Sequence, residues 1–306
     1  MKIWPDYTMA CDSCGSTGCY ADDTTYTCSG SDPAALSEKL TEKFKVVSDF
    51  LVSNKLKLND DKTHLMVMTT SQARLAKNKR GVDIKVEITT PSKVIEASKS
   101  EKLLGCQLHQ DMKWTEHLRD NGDSLIRSLN TRIGALKILG RVASFKVRRM
   151  IANGIFISKI SYLIAVWGGC SQELLNQLQV AQNKAARVVT KLDWYTPTKV
   201  LLHQCGWLSV QQLVAYHSVV LVYKVLKTQK PQYLYSMFSS QYQYDTRQAK
   251  SGMIKHTERP RLEMSLSSFR YRAAKIFNEL PPEIRNKQTI QNFKIAAKDW
   301  IRKTLD

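Results

Sequence analysis

Two adjacent carboxylates lie near the start of the sequence, in the segment Tyr20-Ala-Asp-Asp23. Aromatic and β-branched residues flank the pair as far as Cys28, where a Ser-Gly-Ser-Asp-Pro turn follows, so the pattern predicts a β-hairpin with Asp22 and Asp23 at its tip. Two neighbouring carboxylates on a tight turn cannot both face a core, and together they offer the oxygen ligands that Mg²⁺ prefers. Such a site can bridge phosphate oxygens in two-metal phosphoryl transfer.

The cysteines offer a second possible metal site. Four of the seven lie within the first thirty residues: Cys11, Cys14, Cys19 and Cys28. The spacing of the first three partly matches a zinc knuckle, but the histidine is missing, and the fourth would lie on the far arm of the hairpin. Free thiols in a reducing compartment are the favoured interpretation, with zinc at Cys11, Cys14 and Cys19 left as the alternative.

The charge of the chain is strongly positive and unevenly distributed. Forty-six Lys and Arg face 27 Asp and Glu, for a net charge of +19. Residues 1–112 hold 15 basic and 15 acidic side chains, so the whole excess lies in residues 113–306, and residues 113–200 alone hold 14 basic and 5 acidic side chains. This balance favours a polyanionic partner, with nucleic acid first and an anionic membrane surface second.

The sequence gives little support to the membrane alternative. No apolar run approaches the roughly 20 residues that a spanning helix needs, and the first residues lack the apolar segment and cleavage site of a secretory signal. We therefore expect an intracellular protein, cytoplasmic or nuclear, that is not secreted and has no membrane partner.

Apolar periodicity predicts the secondary structure. The first part combines a helix from about Pro33 to Asn54, begun by Asp32, with short extended segments at 65–70, 84–89 and 103–108. Helices predominate from Trp114 onwards, and the periodicity places them at Leu125–Gly140, Val147–Trp167, Leu174–Val189, Val210–Leu226, Phe269–Leu280 and Ile290–Ile301. Residues 239–268, rich in Ser, Gln, Tyr and basic residues, are predicted to form a mobile connector. The fold class is therefore α+β.

Three motifs in this order resemble the reverse transcriptases of non-LTR retrotransposons of the LINE type, in particular the jockey-like elements. They are Tyr20-Ala-Asp-Asp23, Leu58-Asn-Asp-Asp-Lys-Thr63 and Leu103-Leu-Gly-Cys106. Later segments resemble the helical region that follows the polymerase core in these elements: Tyr162-Leu-Ile-Ala-Val-Trp-Gly168, Ala181-Gln-Asn-Lys-Ala-Ala-Arg187 and residues 274–285. The resemblance runs from about residue 19 to the C-terminus.

The resemblance implies a role for each motif residue. Asp22 and Asp23 would be catalytic Mg²⁺ ligands, and Tyr20 would line the site near the primer terminus. Lys62 would neutralise or protonate the leaving pyrophosphate, and the turn at Leu104 and Gly105 would grip the primer strand. The partners would be an RNA template and a DNA primer, or an RNA–DNA hybrid, with no small-molecule cofactor beyond the dNTP.

The resemblance also implies a division of the chain. Residues 1–112 would be the end of a polymerase palm with its primer-grip hairpin, built of short antiparallel strands and a helix. Residues 113–238 would be a helical, thumb-like and connecting domain, and residues 239–306 a basic linker with a C-terminal helical region. Only 19 residues precede Tyr20, which leaves no room for the fingers or for the palm strand that carries the family's third catalytic aspartate.

Three hypotheses follow. The first is a C-terminal fragment of an RNA-directed DNA polymerase, inactive alone because one arm of its metal clamp is missing. The second is a nucleic-acid-binding protein without catalysis, in which the basic helices of residues 113–200 hold duplex phosphates. The third is the product of a decayed mobile element with no retained role.

Overall fold

A computed structural model describes residues 15–20, 23–56, 59–79, 85–89, 94–238, 253–254 and 263–304. The chain divides into two compact units, Met1–Lys113 and Trp114–Asp306. The first unit combines short strands with two α-helices, and in the second all of the regular secondary structure among the described residues is helical. The α+β class predicted from the sequence is confirmed at this level.

The first unit opens with the predicted hairpin. Strand β1 (Gly15–Tyr20) pairs antiparallel with β2 (Asp23–Cys28), with Tyr20 opposite Asp23. Helix α1 (Pro33–Ser53) follows, and the Asp32 side chain caps it by accepting hydrogen bonds from the backbone N–H groups of Ala34 and Ala35 at 3.2 and 3.3 Å. A capping carboxylate followed by proline is the arrangement that the sequence predicts for this helix start.

The remaining strands of the first unit form a small sheet and a second hairpin. Strands β3 (Leu65–Met66), β4 (Glu87–Thr89) and β5 (Val94–Ser98) lie in the order β3-β5-β4, while β6 (Ser100–Leu103) and β7 (Cys106–His109) pair antiparallel. The three-stranded sheet buries Leu65, Val86, Ile88 and Ile95, and Leu40 and Phe44 of α1 pack against them. A short helix, α2 (Ser71–Lys79), lies between β3 and β4 in the chain.

Two strand predictions in this unit were wrong in extent. The predicted strand at 65–70 is limited to Leu65–Met66, because the chain leaves the ladder and the N–H of Thr69 bonds instead to the carbonyl of Gln110 at 2.9 Å. The segment predicted to be extended at 103–108 contains the turn between β6 and β7, since Leu104 and Gly105 both take positive φ values of 47° and 77°. The predicted segment at 84–89 begins outside the described residues, and Glu87–Thr89 is extended.

The second unit is built from helices on two adjoining cores. Its helices are α3 (Leu125–Leu139), α4 (Phe145–Ala152), α5 (Ser158–Ser161), α6 (Ile164–Trp167), α7 (Gln172–Thr190), α8 (Thr198–Cys205), α9 (Val210–Thr228), α10 (Gln232–Phe238), α11 (Glu263–Ser267), α12 (Phe269–Glu279), α13 (Pro282–Arg285) and α14 (Ile290–Thr304). A π-helical turn, Glu116–Asp120, precedes α3. Side chains from α3 to the start of α9 form the first core, and the rest of α9 packs with α12 and α14 in the second.

The helix predicted over Val147–Trp167 is interrupted. A π-helical turn, Asn153–Ile157, joins α4 to α5, and the helix then breaks at Tyr162 and Leu163, where Leu163 has a φ of 52°. The indole Nε1 of Trp167 donates a hydrogen bond of 2.9 Å to the Tyr162 carbonyl. This bond satisfies a carbonyl that the break removes from the helical ladder.

The predicted connector at 239–268 lies mostly outside the described residues, although Glu263–Ser267 is helical.

Within the described ranges, no single helix is both long and apolar enough to cross a bilayer. Helices α8 and α9 together, bent by 46°, meet that length and composition test.

The structure describes four cysteine thiols, Cys28, Cys106, Cys170 and Cys205. Burial raises the pKa of Cys106, Cys170 and Cys205 to about 11, and none of them forms a disulfide. They are therefore protonated near neutral pH and are poor nucleophiles or metal ligands there.

Candidate nucleic-acid interface

The acidic hairpin places two of its predicted site residues opposite each other. Tyr20 pairs with Asp23 at the end of the ladder, and both side chains are exposed. Ala21 and Asp22 lie outside the described residues. Within the described part of the chain, no group of three or more His, Cys, Asp or Glu side chains is arranged to hold a metal ion. Asp22, one of the two predicted ligands, is not among the described residues, so the assignment of Asp22 and Asp23 as Mg²⁺ ligands stays a prediction.

Lys62 lies in a separate turn of the same unit. It ends a single 3₁₀ turn, Asp60–Lys62, whose backbone is held by Asn59, and its side chain is exposed. No hydrogen bond or ion pair among the described residues joins it to Tyr20 or Asp23. The structure therefore supplies no direct contact between the predicted catalytic residues, and the role of Lys62 stays a prediction.

The predicted primer-grip residues form the two-residue loop of the β6–β7 hairpin. Positive φ at both Leu104 and Gly105 gives this loop the twist that tight hairpins prefer. Glycine adopts such a conformation at little cost, whereas leucine rarely does. Leu104 is exposed there, so the loop presents an apolar side chain to solvent.

The hairpin register also bears on the zinc alternative. Cys19 lies opposite Thr24, next to the turn, while Cys28 lies opposite Gly15 at the other end of the ladder. Four residues of strand separate the two positions, which is about 13 Å. A single zinc ion with bonds of about 2.3 Å cannot bridge them. Cys11 and Cys14 lie outside the described residues, so zinc at Cys11, Cys14 and Cys19 stays untested.

A strongly basic cavity lies in the second unit. It has a volume of about 280 Å³ and is lined by Lys137, Gly140, Arg141, Arg187, Val188 and Lys191. We call the four cations Lys137, Arg141, Arg187 and Lys191 the basic cleft. None of the four forms an ion pair with a described residue.

Two helix ends bring these cations together. Lys137 lies in the last turn of α3, and Arg141 follows its C-cap, Gly140. Arg187 lies in the last turn of α7, whose C-cap, Lys191, takes a left-handed φ of 59°. Each helix C-terminus carries roughly half a negative charge, which offsets about one of the four positive charges and leaves a net charge of about +3 in the cleft.

Arg148 of α4 ties the two sides of the cleft together. Its guanidinium is buried and donates to the Val189 carbonyl at 2.8 Å and to the Ala143 carbonyl at 2.7 Å. The first carbonyl lies in the last turn of α7, and the second lies in the loop after α3. Gly140 passes close to this side chain, since a Cβ there would lie 3.4 Å from the Arg148 Cδ and 2.9 Å from the Leu136 carbonyl oxygen. Arg148 is a positioning residue that fixes the spacing of the cleft walls.

Arg187 links the cleft to an exposed aromatic loop. Its Nη2 donates to the Trp194 carbonyl at 3.2 Å, and its guanidinium carbon lies 4.5 Å from the centroid of the Trp194 ring. The Arg187 Nε is buried and has no hydrogen-bond partner among the described residues. Arg187 therefore belongs both to the lining of the cleft and to the contacts that hold the Trp194 loop.

A second, larger cavity lacks this character. It measures about 390 Å³ and is lined by polar residues that include Arg119, Asp120 and Arg127. Arg119 is already paired with Asp120 at 2.7 Å and with Glu173 at 2.9 Å. Its positive charge is therefore compensated within the protein, and the basic cleft is the better anion site.

The sequence predicted part of this interface and missed the rest. It located an excess of positive charge in residues 113–200, and the apolar helical patterns in which Trp167, Trp207 and Trp300 lie favour packing roles for these rings over base stacking. Trp167 and Trp207 are buried, and Trp300 packs against the second core. It did not single out Trp194, although two adjacent aromatics in the short loop Asp193-Trp-Tyr-Thr-Pro197 were a readable signal of an exposed platform.

Comparisons with known proteins give no relative to set beside this geometry. No protein-family model, no curated protein and no solved structure matches the chain.

Proposed function

We propose that this protein binds nucleic acid, and that the second unit holds the phosphate backbone in the basic cleft. The observation that carries the proposal is the convergence of four cations from two helix ends on one cavity, without an acidic partner among the described residues. Four like charges that line one cavity repel one another, and an anion that enters the cavity relieves the repulsion.

The surrounding charge favours a polymer of phosphates over a single small anion. Residues 124–244 carry fifteen Lys and Arg side chains and only two acidic ones, Glu173 and Asp193. A single phosphate would use the cleft and leave the rest of this excess unpaired. A nucleic-acid backbone continues beyond the cleft and can meet cations along its path.

The family resemblance extends this proposal to polymerase chemistry. In that extension the protein is related to the C-terminal part of a non-LTR reverse transcriptase, and the basic cleft belongs to its thumb-like region. Asp22, Asp23 and Lys62 then serve phosphoryl transfer with Mg²⁺ in the intact enzyme. This part rests on the order of the three sequence motifs, while the binding part rests on the cleft. Nucleic-acid binding without catalysis is the alternative.

Neutralising one cation on each side of the cleft tests the binding proposal. We expect Arg141→Gln/Lys191→Gln to weaken binding to a labelled oligonucleotide roughly 10- to 30-fold near physiological salt. The slope of log affinity against log salt should also become less steep by about two, since each cation contributes one released counterion. Fluorescence anisotropy at a series of salt concentrations measures both quantities.

Two matched variants control for the loss of charge alone. Lys224→Gln/Lys227→Gln removes two exposed cations of α9 that do not line the cleft, and it should change affinity far less. Asp22→Asn/Asp23→Asn should leave affinity unchanged or slightly higher, because removing acid does not weaken phosphate binding. Equal losses from the cleft and α9 variants would replace the cleft with a diffuse charge effect, and no loss from either would contradict the proposal.

A further inference from the structure

The short loop between α7 and α8 exposes two large aromatic rings beside the basic cleft. Trp194 is 68% exposed and Tyr195 is 94% exposed. Among the tryptophans that the structure describes, Trp194 is the exposed one, whereas Trp167 and Trp207 are buried and Trp114 and Trp300 are half-buried. Exposed aromatic rings that adjoin a charged cavity are characteristic of a binding surface.

The Trp194 ring is held in place rather than projecting freely. Arg187 lies over the indole and also bonds to the Trp194 carbonyl, so one face of the ring is covered and its backbone is fixed. The Thr196 N–H bonds to the Asp193 carbonyl at 3.1 Å, which closes the loop before α8 begins. The other face of the indole provides the exposed area and is a flat apolar surface.

From this arrangement we infer that the site binds a single-stranded nucleic acid, with one base stacked on the open face of Trp194 and an adjacent phosphate in the basic cleft. The inference rests on the proposed function and specifies its ligand. Arg187 takes part in both contacts, because it lines the cleft and also backs the indole. A cation on the covered face polarises the ring and orders it, which lowers the entropic cost of stacking.

A single strand fits this site better than a duplex or a membrane. The bases of a duplex are stacked on both faces and do not offer a free π-surface, whereas the bases of a single strand do. Aromatic stacking is also tolerant of sequence, because every base has such a face. An anionic bilayer could contact the aromatic rings, but it offers no π-face to stack on an indole, whereas each base of a single strand does.

Substitutions at Trp194 test the inference on the full chain. We expect Trp194→Ala to weaken binding to an oligothymidine roughly tenfold and to change binding to a duplex of equal length by less than about twofold. Trp194→Phe should retain most of the affinity because it keeps an aromatic face. Oligothymidine should quench the tryptophan fluorescence of the wild-type protein, and this quenching should be largely lost in Trp194→Phe.

An abasic oligonucleotide separates stacking from charge. It should bind the wild-type protein about as weakly as oligothymidine binds Trp194→Ala, and Trp194→Ala should weaken it no further. Tyr233→Ala removes an exposed aromatic side chain on α10 and serves as the matched control, with affinity expected to be unchanged.

Each outcome distinguishes this inference from the proposed function. Suppose that neutralising the cleft weakens nucleic-acid binding, while Trp194→Ala lowers the affinities for single strand and duplex equally or lowers neither. The stacking inference is then overturned and the binding proposal stands. If neither the cleft nor the Trp194 variant alters nucleic-acid binding, both fall. A third outcome favours a lipid surface and overturns the inference: the wild-type protein binds phosphatidylserine vesicles, and Trp194→Ala abolishes that binding but leaves the oligonucleotide affinity intact.

Discussion

Replacing Arg148 with methionine is expected to lower the free energy of unfolding of the second unit by about 3 kcal/mol. The Arg148 side chain is 8% exposed and donates to two carbonyls that belong to different segments. Methionine fills much of the same space but donates no hydrogen bond, so the Val189 and Ala143 carbonyls lose their charged partner. Each hydrogen bond from a charged group contributes about 1.5–3 kcal/mol, so losing two of them would cost more than the expected value. Methionine also removes the cost of burying a guanidinium, and this offsets part of the loss.

The same substitution should also weaken oligonucleotide binding, although Arg148 does not line the basic cleft. Because Arg148 ties the end of α7 to the loop after α3, its loss lets the two cleft walls separate. We expect oligonucleotide affinity to fall while the salt dependence stays close to that of the wild-type protein, because the four cleft cations remain. Chemical denaturation followed by circular dichroism and anisotropy titrations at several salt concentrations measure the two effects.

The adjacent residue supplies a matched control. Arg149 carries the same charge on the same helix, but it is exposed, and its guanidinium lies 5.8 Å from the Phe145 ring. Arg149→Met should change the free energy of unfolding by less than about 0.5 kcal/mol. Similar stabilities for the two variants would show that the buried hydrogen bonds of Arg148 do not hold this region together.

The helices of the second unit were predictable because their apolar periodicity is local. Residues Leu174 to Val189 repeat at helical spacing and form α7, and the series of leucines from Leu125 stops at Gly140, where α3 ends. Helix α8 (Thr198–Cys205) was missed because eight residues give too short a repeat to distinguish it from a loop. The break at Leu163 was missed because it depends on a hydrogen bond from Trp167, which no periodicity encodes.

The strands of the first unit were less predictable because their extents depend on distant partners. Leu65–Met66 pairs with β5, about thirty residues later in the chain, and only two residues of the predicted strand find partners there. The β1–β2 hairpin, whose pairing is local, was predicted correctly. Strand register is fixed by burial and by turn geometry, and a sequence pattern of a few residues determines neither.

The basic cleft shows a similar limit for the candidate site. The sequence identified the excess charge of residues 113–200, but Lys137 and Arg187 are fifty residues apart, and only the packing of α3 against α7 places them in one cavity. The platform at Trp194 depends on the same packing through Arg187. Charge composition indicated the class of partner, and tertiary structure was needed to find the surface.

Among the tryptophans that the structure describes, Trp167 should be the most sensitive to truncation. Its ring is fully buried in the first core of the second unit, and its Nε1 donates to the Tyr162 carbonyl at 2.9 Å. Trp167→Ala removes the largest fully buried side chain of the described residues and leaves a cavity that α6 and its neighbours cannot fill. We expect the free energy of unfolding to fall by about 4 kcal/mol, measured by chemical denaturation.

Two further variants separate the causes of that loss. Trp167→Phe keeps an aromatic ring but removes the N–H donor, so its cost should be intermediate, at about 2 kcal/mol, from the unpaired Tyr162 carbonyl and the smaller ring. Trp194→Ala removes the same side chain type from an exposed loop in the same unit and should change stability by less than about 0.5 kcal/mol. The two alanine substitutions should therefore change different quantities: Trp167→Ala lowers the free energy of unfolding, and Trp194→Ala lowers the affinity for single strands. If Trp194→Ala destabilised the unit as much as Trp167→Ala, its binding defect would reflect unfolding, and the Trp194→Phe fluorescence result would then decide whether a base stacks on the ring.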